Sequence, residues 1–136
     1  MRVVLDTNIL ISALMVPGGT TDTIVRAWRN RSFVLLTCDE QIDELRDCFA
    51  RPWLVPARIR RHEAGRLINA MRRFAAFVGP LPPVARSPDP DDDFLLALAE
   101  AGNADYLVTG DKAGLLSLRT HRSTRIVTAS DFAQLI

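Results

Sequence analysis

The sequence of 136 residues predicts a three-layer α/β/α sandwich, in which a parallel, doubly wound sheet of about five strands lies between two layers of helices. Short apolar segments alternate with longer amphipathic segments along the whole chain. The apolar segments lack the in-and-out alternation of a half-exposed sheet, which is typical of parallel strands covered on both faces. The length and the 48% hydrophobic content suit one core, so we expect a single domain over residues 1–136.

The strands are predicted from short runs of β-branched and other apolar residues. The first run, at residues 2–5, ends at Asp6, and the second occupies residues 33–37. Three more strands are expected at residues 76–78, 105–109 and 125–128.

The helices are predicted from apolar side chains at helical spacing and from the residues that interrupt them. Pro17-Gly18-Gly19 separates the first two helices, and Pro56 suits the first position of the fourth. The five prolines from Pro80 to Pro90 indicate a loop. Helices are expected at residues 9–15, 20–29, 39–50, 56–74, 91–101 and 112–118, and Ser130 is expected to cap a final turn.

Composition and charge exclude several classes of protein. The longest apolar run covers only residues 94–99, far short of the roughly 20 residues of a membrane span, so we expect no membrane association. Polar residues 6–8 interrupt the apolar N-terminus, so we expect no secretion signal and a cytoplasmic protein. The net charge of +1 conceals a basic segment at residues 51–73 and acidic groups at residues 39–47 and 89–93.

Acidic side chains follow the predicted strands at the edge where open parallel sheets bind ligands. Asp6 ends the first strand, and Asp111 follows the fourth strand after two residues. Glu44 lies on the helix after the second strand, and the acidic run from Asp89 to Asp93 opens the helix before the fourth. Four carboxylates in one cleft would raise each other's pKa values unless cations neutralised them.

Each acid also has a structural alternative. Asp6 could simply end a strand, Asp111 could cap the next helix, and Asp89 with Pro90 could open a helix. On a helical wheel, Asp43 and Glu44 flank opposite edges of the apolar stripe, so either could point inward.

The surroundings of the acids favour a divalent metal over an ion pair. No lysine or arginine except Arg2 lies within four residues of Asp6, and none lies nearer to the run 91–93 than Arg86. Carboxylates of this kind suit one or two Mg²⁺ or Mn²⁺ ions, which prefer oxygen ligands. Two such ions can activate a water and stabilise the leaving oxygen in phosphodiester cleavage.

At these positions the sequence resembles the PIN-domain nucleases, most of all the bacterial and archaeal branch related to the VapC-type toxins of toxin–antitoxin pairs. The order and spacing of the motifs match over essentially the whole chain. The motifs are Val3 to Asn8 with Ser12, the pair Glu44-Leu45, the run Asp89 to Asp93, and Ala104 to Asp111.

The resemblance implies a PIN-like fold and a metal-dependent endoribonuclease, with RNA as its substrate and Mg²⁺ or Mn²⁺ as its cofactor. It also implies a toxin held by an antitoxin protein, and a homodimer. Asn8 and Thr109 match supporting polar positions that in the family orient the first carboxylate or a water. The residues matched to the catalytic and metal-binding quartet are Asp6, Glu44, Asp92 and Asp111, with Asp93 as the alternate for Asp92.

The basic segment has two interpretations. It holds seven arginines against one acid, Glu63, and a basic surface near the carboxylates would neutralise RNA phosphates. The alternative is a solvated helix face, on which arginine stems cover apolar surface. The candidate RNA-binding residues are Arg58, Arg60, Arg61 and Lys112.

Three other functions compete with the nuclease. A phosphatase of the haloacid-dehalogenase type would need an acid two residues after Asp6, where Asn8 stands. A receiver-type signalling domain would need adjacent acids after the first strand, which are missing. A non-catalytic RNA- or partner-binding module on the same fold stays open, because a sequence does not show that metals bind.

Overall fold

The structure is a computed structural model that describes residues 1–51 and 59–136. Within these ranges the chain forms the strands β1 (Arg2–Leu5), β2 (Val34–Thr37), β3 (Ala76–Phe77), β4 (Tyr106–Val108), β5 (Thr120–His121) and β6 (Thr124–Val127). They form one sheet in the order β3-β2-β1-β4-β6-β5, in which all neighbours are parallel except β5 and β6. The predicted α/β class and the parallel sheet are confirmed.

The antiparallel edge strand β5 is absent from the sequence prediction. It contains only two residues, so it has no periodic pattern to detect. The turn into β6 places Arg122 at a φ of 54°, where glycine or asparagine would be the usual signal for a hairpin.

The helices of the described residues are α1 (Thr7–Met15), α2 (Thr20–Arg29), α3 (Asp39–Phe49), α4 (Arg61–Phe74), α5 (Asp93–Ala101), α6 (Leu115–Leu118) and α7 (Ala129–Ala133). A 3-10 turn, Pro90–Asp92, precedes α5, and α6 begins three residues later than predicted. None of these helices has the length and apolar character needed to cross a bilayer.

The boundaries of α4 and α7 correct the prediction. α4 begins at Arg61, and Arg60 before it has an extended backbone. The predicted start, Pro56, lies outside the described residues. Thr128 caps α7 instead of Ser130, because the Thr128 hydroxyl accepts a backbone hydrogen bond of 3.1 Å from the first turn.

The sheet buries a separate apolar cluster on each face. Val3 and Leu5 of β1 pack with apolar side chains from α1, α2, α3, α4 and α7. Val4, between them, points to the other face and packs with α5 and α6. The helices thus cover both faces of the sheet, as its continuous apolar strands predict.

The register of β1 and β4 brings two polar residues to one edge. Leu5 pairs with Val108, so the next residues, Asp6 and Thr109, leave the sheet side by side. The backbone N–H of Asp6 donates to Val108 O at 2.9 Å, which extends the pairing by one residue. Both side chains therefore lie at the carboxyl ends of neighbouring parallel strands.

Two glycines provide a matched test of the packing. A Cβ at Gly102 would lie 2.7 Å from Leu36 Cδ1 and 3.1 Å from Leu98 O, so Gly102→Ala should destabilise the fold by about 1–3 kcal/mol in urea unfolding. Gly65, inside α4, has no atom of the described residues within 4 Å of the position that a Cβ would take, apart from the backbone of its own helix. Gly65→Ala should stabilise the fold by about 0.5–1 kcal/mol, because alanine restricts the unfolded chain and favours the helix. Effects of the same sign would contradict the described packing.

Candidate active site

Asp6 lies at the centre of the carboxyl edge of the sheet. It is buried, and its backbone position caps α1. The carboxylate accepts a 2.7 Å hydrogen bond from the Thr109 hydroxyl and a 3.3 Å bond from the Asn8 backbone N–H. Burial raises the pKa of Asp6, the Thr109 and Asn8 bonds partly offset the rise, and nearby Asp111 adds to it.

Thr109 links Asp6 to Asp111. The Thr109 hydroxyl donates to the Asp6 carboxylate and accepts a hydrogen bond of 3.2 Å from the Asp111 backbone N–H. The exposed Asp111 carboxylate accepts a 3.0 Å bond from the Gly114 N–H. The sequence also allowed Asp111 to act as a helix cap, and its side chain does stabilise the turn before α6.

Gly114 leaves the room that the Asp111 carboxylate occupies. A Cβ at this glycine would overlap Asp111 Oδ2 and lie 2.6 Å from its Cγ. Any larger residue at position 114 would therefore displace the carboxylate from its place beside Asp6.

Asp92 and Asp93 have different surroundings, although they are neighbours in the chain. The Asp93 carboxylate accepts hydrogen bonds from the backbone N–H groups of Arg86 (3.0 Å) and Ser87 (2.7 Å), so it holds the loop before α5. The pKa of Asp92 is raised to about 6 by burial, by Asp6 and by further acids that include Asp111. Asp92 therefore faces the other candidate acids, whereas Asp93 is engaged by the loop.

Glu44 approaches the same group of acids from α3. Burial raises the pKa of Glu44, and the charges of Asp6 and Asp92 add to the rise. The nearby Thr7 hydroxyl partly offsets this rise in the pKa of Glu44. This hydroxyl is buried and forms no hydrogen bond of ordinary geometry within the described residues. Asp43, the alternative on the helical wheel, is exposed.

A network of polar side chains braces the loop that Asp93 holds. Arg86 Nη1 donates to Thr120 O (2.6 Å) and to His121 Nδ1 (3.1 Å). Because a guanidinium only donates, the proton of the imidazole lies on Nε2, which donates to Glu100 Oε1 at 3.0 Å. The loop before α5 is thereby tied to the strand β5 that the sequence did not predict.

The oxygen atoms available as metal ligands at this edge suit a hard divalent cation. They are carboxylate and hydroxyl oxygens, and the four candidate acids make no ion pair with a basic side chain of the described residues. The Thr7 hydroxyl, buried and without a hydrogen-bond partner among the described residues, is a further oxygen of this kind. The same residues do not form a ready-made ligand cluster, since no three His, Cys, Asp or Glu side chains of the described ranges are arranged to hold one ion. A bound ion would have to draw the mutually repelling carboxylates together.

The candidate RNA-binding residues are only partly accounted for. Arg60 and Arg61 are exposed at the N-terminus of α4, and exposed Lys112 follows Asp111 directly. Arg58 lies outside the described residues. None of the described three makes an ion pair in the part of the chain that the structure covers.

Two residues of this edge were missed in the sequence prediction of the site. Thr7 lies inside the Asp-Thr-Asn motif, and its burial beside Glu44 is a tertiary feature that the motif alone does not reveal. Gly114 had a detectable signal, because a glycine three residues after an aspartate fits a side-chain-capped turn.

The fold and this edge define a class of α/β proteins that collect carboxylates at the ends of parallel strands. The sequence matches the family model described as PIN domain over residues 2–113, and the chain therefore belongs to the PIN-domain family. PIN domains are generally nucleases, usually dependent on a metal ion. No curated protein and no solved structure shows significant similarity to the chain.

The raised pKa of Asp92 predicts a pH dependence of stability. Because the folded state holds this proton more tightly than the unfolded state, the stability of the metal-free protein should fall as the pH rises from about 4 to about 6. Asp92→Asn removes the charge, so at neutral pH it should stabilise the metal-free protein by on the order of 1 kcal/mol after solvent screening. Urea unfolding in EDTA over a pH series measures both effects.

Asp93→Asn is the matched control. Oδ1 of the Asp93 carboxylate accepts two backbone hydrogen bonds, and a neutral amide oxygen accepts such bonds more weakly, so this variant should be less stable than the wild type at neutral pH. If Asp92→Asn instead destabilised the protein at neutral pH, the charges of the neighbouring acids would not be destabilising the ionised form of Asp92.

Proposed function

We propose that the protein is a metal-dependent endoribonuclease that hydrolyses RNA phosphodiester bonds. The observation that carries this proposal is the approach of Asp6, Glu44, Asp92 and Asp111, from four different segments, to one edge of the sheet. Burial and the charges of neighbouring acids raise the pKa values of Asp6, Glu44 and Asp92, and these acids form no ion pair with a basic side chain of the described residues that would offset the rise. Membership of the PIN-domain family supports the same function.

In this proposal the four acids hold one or two Mg²⁺ or Mn²⁺ ions. Such ions supply an activated water and stabilise the leaving oxygen of the phosphodiester. Asp6 and Asp111 are proposed as the principal ligands, because Thr109 fixes them relative to each other. Glu44 and Asp92 complete the set, with Asn8 and Thr109 as the supporting residues.

The proposed substrate is RNA, and basic side chains around the acids offset the repulsion of its phosphates. Lys112 is adjacent to Asp111 in the chain. Arg60 and Arg61 add two charges at the N-terminus of α4, where the helix dipole also favours anions. Arg58 is included among the proposed RNA-binding residues because it belongs to the basic segment of the sequence at residues 51–73.

The biological role is proposed from the sequence resemblance. We propose that the protein acts in the cytoplasm as the toxin of a toxin–antitoxin pair, as a homodimer that an antitoxin protein inhibits. Growth arrest on expression of the wild type, and normal growth with an equally abundant Asp6→Asn variant, would support this role.

One observation favours a second function, a non-catalytic RNA- or partner-binding module. Asp111 is exposed, and the described residues contain no preformed group of three metal ligands. A module of this kind would bind RNA without cutting it and would show no dependence on Mn²⁺.

Cleavage of a mixed pool of single-stranded and structured RNA by the purified protein tests the proposal. With Mn²⁺ the wild type should cut RNA, and Asp6→Asn and Asp92→Asn should each lower the rate by at least about a hundredfold, because each removes a negatively charged metal ligand of the proposed site. Gel electrophoresis of end-labelled RNA gives the rates.

Asp93→Asn separates the two neighbouring acids. This variant should keep most of the activity, because the Asp93 carboxylate binds the loop before α5. Cleavage that survives in Asp6→Asn would identify a contaminating nuclease. Loss in Asp93→Asn with activity retained in Asp92→Asn would reverse the assignment of the third acid.

A further inference from the structure

A groove of about 710 Å³ lies at the edge of the sheet opposite the carboxylates. Its described walls come from the segments that enter β1 and β2 and from the C-terminal ends of α2 and α4. Since β1 runs from this edge to Asp6, the groove and the candidate active site are separated by the length of the strand, about 13 Å.

Aromatic and arginine side chains line this groove, which is called the basic groove from here on. Trp28 and Phe33 are almost fully buried and form part of its base. Phe74, the last residue of α4, is 65% exposed, the most exposed large apolar side chain of the described residues. The guanidinium carbon of Arg73 lies 5.5 Å from the centre of the Phe74 ring. An aromatic ring is thus presented to solvent beside a cation.

The charge of the basic groove has one sign. Arg29, Arg31 and Arg73 line it, and its described lining residues include no aspartate or glutamate. None of the three arginines makes an ion pair within residues 1–51 and 59–136. The groove therefore offers three guanidinium groups to an anionic ligand.

Arg31 occupies a backbone conformation that disfavours it. It follows α2 with a φ of 63°, in the left-handed region where helices usually end on glycine or asparagine. Glycine would fit this backbone conformation better, so Arg31 can be replaced by glycine without straining the end of α2.

We propose that the basic groove binds single-stranded RNA, with a base stacked on Phe74 and phosphates paired with Arg29, Arg31 and Arg73. The choice of RNA rests on the proposed function. Sequence-tolerant binding of single strands combines arginines that neutralise phosphates with aromatic rings that stack on bases, and both are present here. A strand held in the basic groove would extend beyond the cleavage site and raise the affinity for long substrates.

Other occupants fit the groove less well. In a symmetric pair of chains the groove would face its own copy, and arginines would lie against arginines. An acidic peptide would match the charge, but it would have no specific need for an exposed ring face. It is therefore an outcome of the test.

Fluorescence anisotropy of a labelled single-stranded RNA of about a dozen nucleotides, in EDTA and over a salt series, measures this binding without cleavage. Phe74→Ala should weaken binding about tenfold, while Phe77→Ala should change it by less than about twofold, since one base stack is lost only in the first variant. Phe77 is the matched control, because it is also an exposed phenylalanine and lies on β3 outside the groove.

Arg31→Gly separates binding from folding. It should lower the slope of log affinity against log salt by about 0.7, as the loss of one phosphate contact requires. Its melting temperature should be unchanged or higher, because glycine suits the positive φ.

Equal RNA affinities for Phe74→Ala and Phe77→Ala, or an unchanged salt slope in Arg31→Gly, would overturn the proposal. Binding of a glutamate-rich peptide that Phe74→Ala weakens, with RNA binding unaffected, would overturn it in favour of a protein partner. The anisotropy assay in EDTA measures RNA binding alone, so binding in the basic groove can be detected whether or not the protein cuts RNA. Conversely, Mn²⁺-dependent cleavage with normal RNA binding by Phe74→Ala would reject the groove and leave the nuclease intact.

Discussion

The hydrogen bond between the Thr109 hydroxyl and the Asp6 carboxylate is the contact on which the candidate active site depends. It exists because β1 and β4 are parallel neighbours whose register ends on Leu5 and Val108, so that the next residue of each strand emerges at the same place. The bond compensates a carboxylate that is almost completely buried, and such a group without partners would be costly. The same hydroxyl oxygen accepts a hydrogen bond from the backbone N–H of Asp111 and so fixes the backbone there.

Around this contact, the molecule keeps acids together at a cost in stability. Burial and mutual repulsion raise the pKa values of Asp6, Glu44 and Asp92. Structural features hold the acids near one another nevertheless, namely the room left by Gly114 and the loop braced by Asp93 and Arg86. Proteins commonly give up stability where function requires unfavourable groups to meet. A divalent cation would reduce the repulsion between these carboxylates. Binding of the metal ion required by the proposed nuclease would therefore also stabilise the fold.

The sequence predicts the parts of this structure that follow local rules. The predicted bounds of β1 and α2 agree with the structure, because a run of β-branched residues before β1 ends and two glycines just before α2 begins are strong local signals. The strand β5 was missed because antiparallel pairing of two residues depends on β6 and on the loop that Arg86 anchors. Spacing could not choose between Asp92 and Asp93, since the choice depends on hydrogen bonds to Arg86 and Ser87, which only the folded loop provides. Burial of Thr7 beside Glu44 is likewise a tertiary property.

In the proposed nuclease, Thr109 organises the carboxylates that bind a divalent cation. Calorimetric titration of Mn²⁺ into the wild type, Thr109→Ser and Thr109→Val tests this claim most directly, with thermal unfolding as the check that each variant is folded. The wild type and the serine variant should bind Mn²⁺, and the valine variant should bind it about 10–100-fold more weakly, because valine keeps the shape but not the hydroxyl. Absence of Mn²⁺ binding by the wild type, or equal binding by the folded valine variant, would contradict the claim.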